Sequence, residues 1–224
     1  MQARHEYKHS LNQGDYIVLR NRLRHILHHD EHIDENGEYK VRSLYFETPN
    51  DKALREKIDG VNKREKFRLR RYIGDSQIIR IEKKSKVNGL CYKRSVIITE
   101  DETKKIQSRN LSWMSTDDRE LVRELYSKMR SQQLAPKTIV DYIREPFVCK
   151  AGNVRITFDR DIRTGIYSTD FLSDDVPTIK AGDEIVILEV KYDQFIPDYI
   201  LDIIQIGSRR ASAISKYALC RIYG

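Results

Sequence analysis

The sequence predicts an α+β protein built on an antiparallel β-sheet. At least six segments alternate charged with apolar residues, which is the period-two pattern of strands with two unlike faces. Asn88-Gly89 supplies the positive φ of a tight turn between two such segments, and turns this short favour antiparallel neighbours. Helical segments lie between and after the strands, where they can cover an apolar face of the sheet.

The first half of the chain alternates strands with two helices. Apolar residues at helical spacing predict a helix over 15–29, and Asn50 or Asp51 can cap a second helix that stops near Gly60. A central hairpin spans 78–95. The predicted strands are 4–11, 39–46, 65–73, the first arm of that hairpin and 92–99.

The second half opens with a helical excursion over 101–134, which Asp117 can cap and Pro136 ends. A loop is expected at 168–178. The predicted strands are 138–148, 154–162 and 184–193, and the predicted helices are 197–204 and 211–221. We expect a single domain over 1–224, since no repeat, low-complexity segment or linker divides the chain.

Four histidines cluster at the end of the first predicted helix. His25 and His29, like His28 and His32, are four residues apart, a spacing that can bind a metal ion on a helix. No neighbouring cysteine or Glu-x-x-His frame accompanies them. A solvated helix end with cations near its C-terminal dipole is therefore the favoured interpretation.

The composition indicates which partners and which cellular location to expect for this chain. The net charge of +7 is a weak indication of an anionic partner, and no array of aromatic residues among the cations supports nucleic-acid binding. No apolar run is long enough to span a membrane and the N-terminus lacks a signal peptide, so a soluble intracellular protein is expected. The three cysteines are far apart and are expected to be free thiols.

The charged faces of the predicted strands carry mostly one sign of charge. A solvated face normally mixes signs, because like charges on neighbouring strands repel. The arginine fork suits phosphate, and a few carboxylates can hold Mg²⁺ or Mn²⁺ beside phosphate oxygens. The cations are Lys8, Arg68, Arg70, Arg80, Lys84, Lys86, Lys93, Arg144 and Arg155, and the carboxylates are Glu6, Glu82, Asp159 and Glu189.

Two architectures fit this pattern. In one, an open sheet keeps its charged face in water. In the other, the sheet closes on itself with the charges inside and the helices outside. The excess of positive charge favours the second architecture, whose interior would suit a polyanion.

Eight short motifs follow one another along the whole chain. They are R-H-E-Y-K at 4–8, R-S-L-Y-F-E at 42–47, F-R-L-R-R-Y at 67–72, I-E-K-K-S-K-V-N-G at 81–89, Y-I-R-E-P-F at 142–147, R-I-T-F-D at 155–159, L-E-V-K at 188–191 and S-K-Y at 215–217. Their order and spacing resemble the VTC domain, the polyphosphate polymerase module of the vacuolar transporter chaperone complex and its bacterial relatives. That family belongs to the triphosphate tunnel metalloenzymes of the CYTH-like superfamily.

The resemblance implies an eight-stranded antiparallel β-barrel tunnel with a charged interior and helices packed outside. It implies that ATP gives its γ-phosphate to a growing polyphosphate chain, with pyrophosphate or polyphosphate as acceptor, and that ADP leaves. A divalent metal, Mn²⁺ or Mg²⁺, would be the cofactor. The alternatives are a tri- or polyphosphate hydrolase with the same tunnel and a non-catalytic sensor of nucleotide or polyphosphate.

The resemblance also implies roles for individual residues. Glu189 matches the metal ligand, and Lys86 stands where a eukaryotic relative would have histidine. The implied catalytic residues are Arg68, Arg70, Lys84, Arg144, Arg155 and Lys216. The implied phosphate-binding residues are Lys8, Lys86, Lys93, Tyr142 and Ser215.

Arg4 departs from the Glu-x-Glu-x-Lys start of many tunnel enzymes. This difference weakens the interpretation as a two-metal hydrolase and fits a polymerase better. The sequence also lacks the SPX-like domain and the membrane helices of the eukaryotic complex. We therefore expect a stand-alone cytoplasmic catalytic domain, which a separate membrane-protein partner could hold at the inner face of a membrane.

Overall fold

The structure, a computed structural model, describes residues 4–30, 33–74, 78–205 and 214–222. These ranges contain ten strands, six α-helices and two short 3-10 helices, at Ser112–Ser115 and Ala151–Asn153. The strands are β1 His5–Leu11, β2 His28–His29, β3 Tyr39–Glu47, β4 Arg64–Ile73, β5 Ile79–Val87, β6 Leu90–Ile98, β7 Ala135–Cys149, β8 Val154–Thr164, β9 Ile179–Lys180 and β10 Val186–Tyr192. The helices are α1 Gln13–Arg24, α2 Lys52–Ile58, α3 Glu100–Gln107, α4 Glu120–Ser131, α5 Asp198–Ile204 and α6 Lys216–Ile222.

All ten strands belong to one antiparallel sheet. Eight of them follow the order β1-β10-β8-β7-β3-β4-β5-β6, while β2 pairs with β7 and β9 pairs with β8. Asn88 and Gly89 join β5 to β6 with φ angles of 49° and 83°, the positive values that a two-residue Asn-Gly turn requires. The predicted α+β class and the predicted antiparallel pairing are confirmed.

The closed eight-stranded barrel is not confirmed. The edge strands β1 and β6 carry no ladder between them in the part of the chain that the structure describes. They meet at one isolated backbone bridge, between Arg4 and Cys91. An ion pair of 2.6 Å, from Nζ of Lys84 to Oε2 of Glu6, also links β1 to β5, the strand next to β6. Alternation along a strand specifies its two faces but not the partner of an edge, so the sequence pattern could not settle closure.

Helices cover the apolar outer face of the sheet. α1 and α5 pack on a cluster that includes Phe158 and Leu188, and α3 and α4 pack on a cluster that includes Leu69 and Ile81. Burying one such side chain stabilises the fold by about 1.5–3 kcal/mol. Because the helices occupy this face, the charged residues that alternate with the apolar ones point to the inside of the curved sheet.

The first predicted helix is too long, since α1 ends at Arg24. His28 and His29 instead form β2 on β7, where the ring centre of His29 lies 4.5 Å from that of Phe147 with the two rings tilted. Backbone pairing of this segment with β7 therefore outweighs the helical spacing of its apolar residues. The i,i+4 geometry that would bring His25 to His29 is therefore not formed, and His32 lies outside the described residues.

Other predicted elements are present with shifted ends. Asp117 does not cap α4, because its Oδ1 accepts a hydrogen bond of 2.8 Å from the backbone N–H of Arg119 and the helix begins at Glu120. Pro136 lies within β7. Of the last predicted helix, the part over 211–213 lies outside the described residues. No helix in the described ranges combines the length and the apolarity that a membrane span requires.

Leu125 of α4 tests the packing on the outer face. Its side chain is fully buried among the residues of α3, β4 and β5. We expect Leu125→Ala to lower the free energy of unfolding by about 2–5 kcal/mol, because the substitution leaves a cavity. Chemical denaturation measures the loss. The matched control is Arg130→Ala on the exposed side of the same helix, expected to change stability by less than about 0.5 kcal/mol. Equal losses in both variants would contradict the described packing.

Candidate functional site

The inner face of the sheet encloses a cavity of about 440 Å³, here named the central cavity. It is lined by Arg4, Glu6, Lys8, Tyr45, Lys66, Arg68, Arg70, Tyr72, Glu82, Lys84, Cys91, Tyr92, Lys93, Tyr142, Arg144, Arg155, Glu189, Lys191, Ser215 and Lys216. A second cavity of about 340 Å³, the outer chamber, adjoins it. The outer chamber is lined by Glu6, Tyr7, Lys8, Ala53, Lys57, Arg64, Glu65, Lys66, Lys84, Ser85, Lys86, Gly89, Cys91, Ile214, Ser215 and Tyr217.

The structure brings almost all of the predicted site residues to the central cavity. The exception is Lys86, which lines the outer chamber. The residues found together in the central cavity are Lys8, Arg68, Arg70, Lys84, Lys93, Tyr142, Arg144, Arg155, Glu189, Ser215 and Lys216. These residues come from seven strands and from α6, so residues far apart in sequence face one enclosed space.

Glu82 forms ion pairs with the cations on the β4–β6 side of the central cavity. Its Oε2 lies 2.6 Å from Nη2 of Arg68, and its Oε1 lies 2.5 Å from Nζ of Lys93. Arg70 makes a longer contact of 3.7 Å. Burial alone would raise the pKa of Glu82, but these cations outweigh burial and lower its pKa well below the usual value. The carboxylate is therefore ionised and holds the cations in place.

Asp159 forms ion pairs with a second set of cations at the floor of the cavity. Arg144 contacts it in a bidentate manner, with Nε at 2.6 Å from Oδ1 and Nη2 at 2.8 Å from Oδ2. Nζ of Lys216 lies 2.5 Å from Oδ2. Burial raises the pKa of Asp159, yet Arg144 and Lys216 together lower it to about 2. The buried guanidinium and the buried carboxylate thus stabilise one another's charged forms.

Glu189 and Glu6 form the acidic side of the cavity. Nζ of Lys8 lies 2.9 Å from Oε1 of Glu6 and 3.3 Å from Oε1 of Glu189, so the two carboxylates are close together. Nζ of Lys191 lies 3.1 Å from Oε2 of Glu189. Burial raises the pKa of Glu189, but the surrounding lysines outweigh it and lower the pKa well below the usual value.

A buried hydrogen bond fixes the helix that carries Lys216. Tyr217 donates from its hydroxyl to Oε2 of Glu47 at 2.6 Å. Glu47 also accepts hydrogen bonds from the backbone N–H groups of Ala53 and Leu54 at the start of α2. α6 is therefore anchored to α2, and Nζ of Lys216 lies 4.8 Å from the ring centre of Tyr142. The anchor places the Lys216 ammonium over the cavity floor.

Arg70 has hydrogen-bonding capacity to spare. Its buried Nε lacks a hydrogen-bond partner among the described residues, while its guanidinium lies 4.9 Å from the ring centre of Tyr72. A buried donor without a partner costs about 1–3 kcal/mol. The Arg70 guanidinium can therefore donate to an oxygen of a bound anion.

The acidic side of the cavity fits a divalent cation. Within the described ranges, no three His, Cys, Asp or Glu side chains converge as a complete metal site. Mg²⁺ and Mn²⁺ need fewer protein ligands, because one or two carboxylates suffice when phosphate oxygens and water complete the coordination. Glu189, with Glu6 beside it, provides such hard oxygen ligands facing the cavity.

Several residues that line the central cavity are absent from the site predicted from the sequence. Lys66 lies on the same face of β4 as Arg68 and Arg70, so alternation along the strand could have included it. Lys191 follows Glu189 by two positions on β10, and the same signal applies. Tyr45 carried no such signal; it lines the cavity and accepts a hydrogen bond of 3.0 Å from Nη1 of Arg68.

Two solved structures share the fold at low sequence identity. The first, a candidate adenylate cyclase from Bacillus halodurans, has a TM-score of 0.53 and 16% identity, with 85% of this chain and 80% of that chain covered. The second is a Hippeastrum protein described as a candidate adenylyl cyclase with a dominant triphosphatase activity. Its TM-score is 0.58 at 12% identity, with 99% of this chain and 96% of that chain covered. No curated protein matches the sequence.

A family model provides the more specific comparison. The model of the VTC domain matches residues 3–222, which is nearly the whole chain. The match spans all the strands and the helix that line the central cavity. The family predicted from the eight motifs is confirmed, and the chain belongs to the VTC domain family.

Proposed function

We propose that the chain is a metal-dependent polyphosphate polymerase that transfers the γ-phosphate of ATP to a growing polyphosphate chain. The observation that carries this proposal is the single cavity in which arginines and lysines from seven strands surround a pair of carboxylates. Such a wall is suited to the several negative charges of a triphosphate. Family membership supports the same general role in handling phosphate chains.

The proposed reaction needs little covalent help from the protein. A terminal oxygen of the acceptor chain attacks the γ-phosphorus of ATP, a new P–O bond forms, and the bond to the β-phosphate oxygen breaks. ADP leaves and the chain is longer by one phosphate. Catalysis of this kind rests on positioning and on charge stabilisation around the transferred group. Arg68, Arg70 and Arg144 would supply that stabilisation.

A divalent cation would add charge neutralisation at the phosphates. Glu189, with Glu6 beside it, is the proposed holder of this ion. Lys216, fixed by the anchor of α6, would donate to a phosphate oxygen above the cavity floor. Ser215 and Lys84 line the junction with the outer chamber, where they would contact phosphates farther along the chain.

A triphosphatase is the second candidate. Water would then take the place of the chain end as the acceptor, and the same cations would stabilise the transferred phosphate. The triphosphatase activity described for the Hippeastrum protein of the same fold is the observation that favours it. The two candidates differ only in the acceptor, so product analysis separates them.

The reaction products test the proposed activity directly. Purified protein with ATP, Mn²⁺ and a pyrophosphate seed is expected to release ADP and to form long polyphosphate, resolved on a gel. Free phosphate is assayed in the same samples. ADP with free phosphate but without chains would establish the triphosphatase instead. Bound ATP without any turnover would contradict both and leave a sensor.

Glu189→Gln tests the proposed metal ligand. The neutral amide binds a hard cation more weakly than a carboxylate. We expect the Mn²⁺ concentration for half-maximal turnover to rise by more than about tenfold. The matched control is Glu184→Gln, at an exposed carboxylate that pairs with Lys180 outside the cavity. An unchanged metal dependence in the Glu189 variant would remove the metal assignment.

Arg70→Ala tests charge stabilisation at the phosphates. Loss of a preorganised donor at a developing charge is expected to lower kcat/KM by about 10²–10³-fold. The neighbouring residue provides the control, because Arg71 points to the outer face and pairs with Asp174 at 2.6 Å. Arg71→Ala is expected to keep near wild-type turnover. Thermal melts of both variants confirm folding, and a wild-type rate for a folded Arg70 variant would argue that the cavity is inert.

A further inference from the structure

Thr157 lies on the inner face of β8, beside the proposed metal ligand. Alternation along β8 places it on the same face as Arg155, which lines the central cavity, and opposite to Phe158 of the outer apolar cluster. Glu189 on the neighbouring strand β10 is its direct cross-strand partner. Side chains that face each other in this way have Cβ atoms about 4.5–5.5 Å apart. The Thr157 hydroxyl is therefore a neighbour of the Glu189 carboxylate.

The Thr157 hydroxyl is buried and has no hydrogen-bond partner among the residues that the structure describes. Only 2% of the residue is exposed, so bulk water does not reach the hydroxyl. Its other cross-strand partner, Pro146 on β7, has no polar group in its side chain. A buried hydroxyl without a partner costs stability, and an apolar side chain of the same shape would avoid that cost. The hydroxyl of Thr157 therefore does not stabilise the fold.

Glu189 is held by longer contacts than the other carboxylates that face the cavity or its floor. Its oxygens lie 3.3 Å from Nζ of Lys8, 3.1 Å from Nζ of Lys191 and 3.3 Å from Nη2 of Arg144. A contact of 2.6 Å or less is present at each of Glu6, Glu82 and Asp159. Of these four carboxylates, that of Glu189 is therefore the one least firmly fixed by its neighbours.

All three of these contacts to Glu189 come from positively charged groups. A divalent cation bound to the carboxylate would repel the two ammonium groups and the guanidinium. A hydrogen bond from a neutral hydroxyl is not weakened in this way. Carboxylates that bind metal ions are themselves commonly held by hydrogen bonds, which orient them toward the ion. Thr157 places a neutral donor next to Glu189 on the same face of the sheet.

We propose that Thr157 is a positioning residue for the divalent cation, and that its hydroxyl donates a hydrogen bond to the Glu189 carboxylate when the ion is bound. The inference rests on the proposed function, in which Glu189 holds this ion, and it adds the group that orients the ligand. A carboxylate held at one oxygen presents its other oxygen to the ion. Thr157 itself acts through Glu189 and contacts neither the ion nor a phosphate.

Direct binding of Mn²⁺ to the full chain tests this role without turnover. The electron paramagnetic resonance signal of free Mn²⁺ gives the dissociation constant in the absence of nucleotide. Thr157→Val keeps the shape of the side chain and removes the hydroxyl, so we expect it to raise the Kd for Mn²⁺ by about 10–100-fold. Thr157→Ser keeps the hydroxyl, and its Kd is expected to stay close to that of wild type.

Thermal unfolding separates this positioning role from a structural one. Thr157→Val is expected to keep or raise the Tm, because no hydrogen bond of the fold is lost. The matched control is Thr164→Val on the same strand, where the buried hydroxyl accepts a hydrogen bond of 3.0 Å from the backbone N–H of Ile166. This control is expected to lower the Tm by at least about 2 °C and to leave the Kd for Mn²⁺ unchanged.

The outcomes separate this inference from the proposed function. An unchanged Kd in Thr157→Val, an equal rise in Thr157→Ser, or a Tm loss in Thr157→Val like that of the Thr164 control would overturn the inference. A wild-type Kd in Glu189→Gln would remove the metal ligand and the inference with it. Weaker Mn²⁺ binding in Thr157→Val that Thr157→Ser restores supports the inference even where ATP yields no polymer, in which case only the polymerase proposal fails.

Discussion

The contact between Arg144 and Asp159 is the interaction on which the cavity depends. Both side chains are buried, and the same pair is shared by Lys216 from α6 and by Glu189 from β10. β7, β8, β10 and α6 are therefore joined at one point. Removing either partner of such a pair leaves an uncompensated buried charge, which lowers the free energy of unfolding by about 3–5 kcal/mol. The cavity floor is in this sense both a ligand surface and a structural support.

The same constraint explains why carboxylates stand in a cavity suited to anions. Cations brought into a poorly hydrated space need counter-charges in the absence of a ligand. Glu82 pairs with Arg68 and Lys93, and Asp159 pairs with Arg144 and Lys216. The remaining acidic residues pair with lysines of β1, β5 and β10. The cations are thus positioned before any ligand arrives, which reduces the rearrangement that binding requires. The outer chamber differs, because four of its six cations form no ion pair with a described residue: Lys57, Arg64, Lys66 and Lys86.

Much of the fold could be predicted because strands with two unlike faces leave a clear period-two pattern. The same pattern predicted which side chains share the inner face, including Arg70, Arg144 and Glu189. It could not predict the contact between the two edges of the sheet at Arg4 and Cys91, because the sequence of an edge strand does not specify which strand lies beside it. Nor could it predict that His28 and His29 join the sheet, because tertiary pairing overrides helical spacing in a segment this short. The division into paired and unpaired cations depends on distances that only the fold provides.

The seam between β1 and β6 has a consequence for how the protein behaves at high concentration. A free edge strand exposes backbone N–H and C=O groups that can pair with another chain, and such edges promote aggregation. Here the two edges of the sheet lie against each other at Arg4 and Cys91, and Lys84 of the neighbouring β5 pairs with Glu6 of β1. Charged side chains on both edges further disfavour the approach of a foreign strand. An incompletely hydrogen-bonded seam therefore still shields the sheet from edge-to-edge association between molecules.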